Sequence, residues 1–204
     1  MTEREVATLR RCVAVGGVAL IPTDTVYGLA TEPESEEGVR RIYALKGRPP
    51  GRPAAVMFFD LELALAALPE LGARTRGALE RLLPGGLTVL LPNPTRRYPL
   101  ACGPDPERLG LRVPALEGPL APLAGARWPV LQSSANRSGG SDARRYEDVD
   151  PHIRRGVDQA LDGGELAGTP STVVDLTAYE DDEAHRILRE GAVGAARVAE
   201  LLRG

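Results

Sequence analysis

The run Val18-Ala19-Leu20-Ile21 is apolar and β-forming, and it stops at a proline, Pro22. Thr23, Asp24, Thr25, Val26 and Tyr27 follow, then Gly28, Leu29 and Ala30. Proline lacks the N–H that a sheet ladder needs, and Asp and Thr side chains hydrogen-bond nearby backbone, so the chain turns here with hydroxyls free. A strand that ends in a polar cup restricts the folds available. Either the cup only caps the strand exit, or it is a ligand site of the kind that α/β sheets carry where strands stop.

The rest of the chain supplies the sheet and its cover. Val6, Leu9 and Val13 share one face of a helix over residues 3–15, with Thr2 as N-cap and Gly16-Gly17 as the stop; Leu9 and Cys12 are expected in the core. Ser35 opens a second helix with Val39, Ile42 and Leu45 as its apolar stripe, ending at Lys46-Gly47-Arg48-Pro49. A stiff loop, 49–53, is followed by a buried-strand run, 54–59. Asp60 caps a short helix to Leu68, and another helix spans 74–83. Leu87–Leu91, Leu109–Val113, Trp128–Gln132, Val157–Leu161, Ser171–Leu176 and Arg186–Arg189 have strand character. Short helices are expected at 117–126 and 146–155, an acidic loop at 180–183, and a closing helix at 195–202. Strands alternate with helices and no linker interrupts them, so the expected architecture is α/β, a twisted open mixed sheet with helices packed on it, forming one domain over 1–204. Some strand connections are too short for a crossover, which makes the sheet mixed rather than parallel.

Composition narrows the function. A net charge of −3 argues against bulk electrostatic coating of nucleic acid or membrane. Two cysteines make neither a disulfide framework nor a metal cluster, the charged N-terminus lacks a signal peptide's apolar core, and no apolar run reaches the ~20 residues of a membrane span, so a cytoplasmic protein is expected. There is no P-loop, no G-x-G-x-x-G, and the two histidines lie in polar segments remote from the other polar clusters. Those clusters fall where apolar strands stop: Thr23–Thr25, Arg112, Ser133–Ser138 and Ser171-Thr172, with Lys46 and Arg48 at a helix end. Converging strand ends would form a pocket of hydroxyls, an amide and fixed cations suited to an oxygen-rich anion. Each cluster also has a plain structural reading: a glycine-capped helix end with dipole-matched cations for Lys46-Gly47-Arg48, and a small-residue turn for Ser133–Gly139. A strand arginine such as Arg112 must meet a carboxylate, from the protein or from a ligand.

Taken together, Pro22–Leu29, Lys46-Gly47-Arg48-Pro49, Pro84-Gly85-Gly86-Leu87-Thr88, Leu111-Arg112-Val113-Pro114, Ser133-Ser134-Ala135-Asn136, Ser171–Asp175 and Ile187–Gly191 resemble the motifs of the YrdC/TsaC family, the L-threonylcarbamoyladenylate synthases, in family order. The resemblance implies a concave α/β sheet in the short, single-domain form. It also implies a nucleotidyl transfer from L-threonine, bicarbonate and ATP, with Mg2+, to threonylcarbamoyl-AMP and pyrophosphate. The product would feed a separate tRNA threonylcarbamoyl transferase complex acting on adenosine 37. Position by position, Thr25, Arg112 and Ser171 would surround threonine, and Lys46, Arg48, Arg52, Ser134, Asn136 and Arg189 would hold the nucleotide, with no protein nucleophile. Thr23 and Asp24 would fix the turn and Tyr27 would pack beneath it.

Two departures from the family pattern touch the threonine side. Met57 stands where many relatives carry a histidine, giving a cup that faces Met57, and Arg108-Leu109-Gly110-Leu111-Arg112 keeps only the arginine of a common D-T-V-A-V-R run. The alternatives are a nucleotide- and RNA-binding paralogue without threonine activation, and a carbamoyl-transfer role like that of related domains in hydrogenase maturation proteins. For tRNA or double-stranded RNA, the one regional signal is residues 74–112, where seven arginines face three acidic residues.

Overall fold

The computed structural model describes residues 1–49 and 51–203; Pro50, from the expected stiff loop, and Gly204 lie outside the described residues. Helix α1 (Glu3–Ala14) opens with a capping box in which Thr2 and Glu5 satisfy each other's backbone N–H groups, and it buries Val6, Leu9 and Val13. Strand β1 (Ala19–Ile21) follows, then the six residues of the opening motif, then β2 (Gly28–Thr31), which pairs antiparallel with β1, Ile21 opposite Gly28. Helix α2 (Glu36–Lys46) starts on a Ser35 cap and ends on Gly47 in the left-handed region. Strand β3 (Ala55–Met57), α3 (Leu61–Ala67), capped by Asp60, α4 (Ala73–Leu82), β4 (Leu87–Pro92), α5 (Pro99–Cys102), β5 (Arg108–Arg112), a 3₁₀ segment Gly118–Gly125 and β6 (Val130–Ser134) continue the chain. It closes with α6 (Pro151–Gly156), β7 (Gln159–Ala160), β8 (Thr172–Asp175), α7 (Tyr179–Asp182), β9 (Arg186–Arg189) and α8 (Ala195–Arg203).

The nine strands form one sheet in the order β7-β1-β2-β6-β3-β5-β4-β8-β9. It is mixed, as expected: β1/β7, β3/β5 and β4/β8 are parallel and the other pairs antiparallel. Alternation along each strand assigns the two faces. Leu20, Leu29, Val56, Val89, Leu111, Leu131 and Val174 point to one face and pack under the apolar stripes of α2, α3, α4 and α8 in the larger core cluster. The opposite face is divided. Toward the β1 side, Ala19, Ile21, Ala30, Met57 and Val130 pack against α1 and the 3₁₀ segment. Toward the β8 side, Thr88, Leu90, Gly110, Arg112, Gln132 and Val173 face a cavity instead of a helix.

Four expectations need correction. Strand β2 is regular structure, although Gly28 and Ala30 are poor strand formers; what holds it is pairing on both edges, to β1 and to β6. That same pairing carries β6 to Ser134, so the two serines lie in the ladder rather than in a following turn. The acidic segment forms the helical turn α7, anchored by Tyr179, which is buried. Cys12, expected in the core, is only half-buried, whereas the second cysteine, Cys102, is buried in α5. Among the described residues no helix is long and apolar enough to cross a membrane.

Candidate functional site

The turn between β1 and β2 is built by Thr23. Its hydroxyl accepts from the N–H groups of Thr25 and Val26 and donates to the Val26 carbonyl, closing the loop on itself. Tyr27 lies fully buried beneath, its hydroxyl on Asp162 and the Gly164 carbonyl. Burial, ahead of the Asp162 contact, raises the Tyr27 pKa far above the usual phenol range. The turn thereby presents Thr25 and Asp24 to the sheet face.

Arg112, at the end of β5, meets them there. One terminal nitrogen, Nη2, donates to Asp24 Oδ1 at 2.5 Å and Thr25 Oγ1 at 2.7 Å, while Asp24 Oδ2 accepts the Ala115 N–H at 3.0 Å. The residue is 2% exposed, and burial, opposed by Asp24, pulls its pKa down. Nε and Nη1 are buried without a hydrogen-bond partner among the described residues. Buried donors are rarely left unpaired, and a guanidinium that lines a cavity with two of its nitrogens unpartnered is suited to an anion.

The cavity, about 270 Å³, is lined by Thr25, Arg48, Ala55, Thr88, Gly110, Arg112, Gln132, Ser133, Ser134, Asp142, Ser171 and Arg189 among others. Its floor is kept open by small residues at β3 and β5: a Cβ on Gly110 would lie 3.3 Å from the Ala54 carbonyl. Arg48 donates from Nη1 to Ser133 Oγ at 3.0 Å, and burial lowers its pKa. Arg189, from edge strand β9, holds the Ser171 carbonyl at 2.7 Å, and Ser171 shares a 2.8 Å hydrogen bond with Thr88. Three guanidiniums thus face a wall with a single carboxylate, Asp142. Sites of this sort usually span ~300 to ~1,000 Å³, so an occupant as large as a nucleotide extends past the rim.

Of the nine residues expected at the site, Thr25, Arg48, Arg112, Ser134, Ser171 and Arg189 line this one cavity. Lys46 stands one step behind it. Its ammonium, 4% exposed, donates to the Ser134 carbonyl, to the Asn136 carbonyl at 2.9 Å and to Asn136 Oδ1 at 3.0 Å, using all three N–H groups to hold the Ser134–Asn136 turn. Burial, then the neighbouring Arg48 charge, pushes the Lys46 pKa down to about 8. Asn136 sits in that turn, donating to the Gly140 carbonyl, and Arg52 is exposed on the loop beside Pro53, which lines the cavity. Met57 does not face the cup: it is fully buried against α1 and the 3₁₀ segment. Gln132, Thr88 and Asp142 were missed. Gln132 and Thr88 carry a signal in sequence, being polar residues at alternate positions of apolar strands; Asp142, in a loop, carries none.

The arginines of 74–112 each make contacts within the chain, three of them to backbone carbonyls. Arg74 contacts the Glu180 and Asp181 carbonyls, Arg76 the Leu65 carbonyl and Arg81 the Leu201 carbonyl. Arg96, Arg97, Arg108 and Arg112 pair with Glu107, Glu70, Asp105 and Asp24.

The Sua5/YciO/YrdC family model, described as telomere recombination, matches residues 11–191. The threonylcarbamoyl-AMP synthase of Stenotrophomonas maltophilia is 36% identical over 165 residues, 78% of this chain and 83% of that protein. Pyrococcus abyssi Sua5 complexed with L-threonine superposes with a TM-score of 0.83 at 25% identity; the match covers 98% of this chain but only 58% of the longer archaeal one. Escherichia coli YciO superposes with a TM-score of 0.79 at 26% identity, covering 97% of this chain and 94% of that one. A match along most of the chain, with the cavity-lining motifs inside the matched segment, means that this chain belongs to the Sua5/YciO/YrdC family.

Proposed function

We propose that the protein is a threonylcarbamoyl-AMP synthase, a nucleotidyltransferase that joins L-threonine, bicarbonate and ATP and releases pyrophosphate. The observation that carries this reading is Arg112, a buried guanidinium with two unpartnered nitrogens that lines a cavity together with Arg48 and Arg189. The Stenotrophomonas relative bears the name of this enzyme, and the Pyrococcus relative of the same fold binds L-threonine, which supports the assignment.

The threonine carboxylate takes Arg112, with the Thr25 and Ser171 hydroxyls beside it. Arg48, Arg189 and Ser134 hold the triphosphate, and the nucleoside extends over the rim toward Asn136 and Arg52. Lys46 acts on the nucleotide through the turn it fixes. The threonine amine captures CO₂ from bicarbonate with loss of a proton and water; a carbamate oxygen then attacks the α-phosphorus, and the bond to the β-phosphate oxygen breaks to free pyrophosphate. No protein group forms a covalent bond, so the rate arises from holding the two anions together and offsetting their charge. Among the described residues no cluster of three or more His, Cys, Asp or Glu could cage a metal. A magnesium ion brought in on the phosphates would be held on the protein side by Asp142, the carboxylate of the cavity wall, and would neutralise phosphate charge. The product is then consumed in threonylcarbamoylation of tRNA adenosine 37 by a separate transferase complex.

The test is ATP-dependent pyrophosphate release with and without L-threonine and bicarbonate. Release that depends on both is expected; release indifferent to threonine overturns the synthase reading and leaves a nucleotide-binding paralogue.

A further inference from the structure

Arg48 separates two cavities. One is the polar site on the sheet face; the other, on its far side, is lined by Val39, Tyr43, Ala44 and Leu100 together with Arg48 itself. An arginine has much rotamer freedom to lose when it grips an anion, so its aim must be set by something other than the ligand. The end of α2 does this. Gly47 adopts φ 57°, the Gly47 N–H bonds back to the Ala44 carbonyl at 3.1 Å, and the Arg48 N–H bonds to the Tyr43 carbonyl at 2.9 Å. These two bonds define a Schellman ending, in which the residue after the glycine folds back over the residue five before it, usually through an apolar contact. Here the pair is Arg48 over Tyr43, with the guanidinium carbon 5.7 Å from the ring centroid. The Tyr43 hydroxyl donates to the Arg52 carbonyl at 2.6 Å, and Arg48 Nη2 donates to the Pro53 carbonyl at 2.5 Å, so one aromatic residue ties both the guanidinium and the loop that flanks it.

We propose that Tyr43 is the positioning residue of the nucleotide subsite: its ring braces the Arg48 guanidinium at the cavity wall, and its hydroxyl pins the Arg52–Pro53 loop at the rim. The proposal rests on the synthase reading for the identity of the anion, a triphosphate. Tyr43 touches no substrate and acts through Arg48.

The experiment measures ATP Kd by titration calorimetry, ATP and threonine KM, kcat, and Tm for Tyr43→Leu and Tyr43→Phe, each alone and in an Arg48→Ala background. Tyr43→Leu should raise ATP Kd and KM about tenfold, the size of a lost partly buried cation–π contact, while kcat and threonine KM stay within about twofold. Tyr43→Phe keeps the ring and should stay within about threefold of the native protein. With Arg48 already replaced by alanine, Tyr43→Leu should change ATP Kd no further, which a purely structural role would not produce. An undiminished tenfold loss in that background, or a fall in kcat and Tm with a rise in both KM values, overturns the proposal. If Tyr43→Leu does not fold, Tyr43→Met takes its place under the same criteria. A native protein that binds ATP without threonine-dependent turnover sinks the synthase reading alone, and the Tyr43 proposal is then judged on ATP Kd; absence of ATP binding sinks both.

Discussion

Replacing Asp24 by alanine strands the Arg112 charge, because Asp24 is the one carboxylate in contact with a guanidinium whose side chain is 3% exposed. Breaking a buried ion pair by removing one partner costs ~3–5 kcal/mol. The Thr25 hydroxyl, 2.7 Å from the same nitrogen, remains as an acceptor and holds the loss toward the lower end, about 3 kcal/mol. The reverse change, Arg112→Met, leaves Asp24 with the Ala115 N–H at 3.0 Å and 12% of its side chain exposed to water. That carboxylate is still solvated, so its loss should be about 1–2 kcal/mol. The double variant, Asp24→Ala with Arg112→Met, should be no less stable than Arg112→Met alone, since no charge is left to strand. Urea unfolding followed by far-ultraviolet circular dichroism reads all three, with m held constant as the check that only stability changed. Additive losses in the double variant, or an Asp24→Ala loss no larger than that of Arg112→Met, would refute the argument that Arg112 is held charged by Asp24. The same Asp24→Ala protein should regain stability in inorganic phosphate or L-threonine more than the native protein does, because a ligand anion can replace the missing carboxylate.

Other outcomes follow from the same geometry. Gly47→Ala should cost about 1 kcal/mol in thermal unfolding: nothing lies within 4 Å of the added Cβ, so backbone strain at φ 57° is the whole penalty, and Gly47→Asn should cost less. With the Lys46 pKa lowered to about 8 in the folded chain and near 10.5 when unfolded, the unfolded state holds the extra proton between those values. Stability should therefore rise with pH across that window, by up to ~1.4 kcal/mol per pH unit relative to Lys46→Met, and the difference should be flat below pH 8. Denaturation midpoints at pH 7, 8, 9 and 10 measure it. Asp142→Asn should raise the magnesium concentration needed for half-maximal pyrophosphate release while leaving threonine KM in place; an unchanged magnesium requirement removes Asp142 as the ligand.

Most helices were legible because their signals are local. Thr2, Ser35 and Asp60 announced the starts of α1, α2 and α3, Gly47 announced a stop, and the apolar stripes of α1 and α2 pointed to the core. Strands with β-branched or leucine-rich runs, such as β4 and β8, were equally plain. Strand β2 was not, since Gly28-Leu29-Ala30-Thr31 has little β-propensity of its own and is extended only because β1 and β6 pair with it on either side. The polar clusters were each ambiguous between cap and ligand site, and their order along the chain, matched to a family, resolved that ambiguity.

The sequence by itself determined the local content: which segments are helical, where they stop, that the sheet is mixed, and that hydroxyls and arginines gather where strands end. Only the tertiary structure decided which of those groups face one cavity and which are already spent. Arg112 and Asp24 lie far apart in the chain, and their pairing depends on β5 ending beside the β1–β2 turn. Lys46 carries its charge into contacts with the Ser134–Asn136 turn, contributed by another strand. Met57, expected at the cup, faces α1 because the packed half of the sheet extends over it. Hydrogen-bond partners and burial are properties of distant segments brought together, so a residue's type and spacing can state its capacity to hold a ligand but not whether that capacity has been left free.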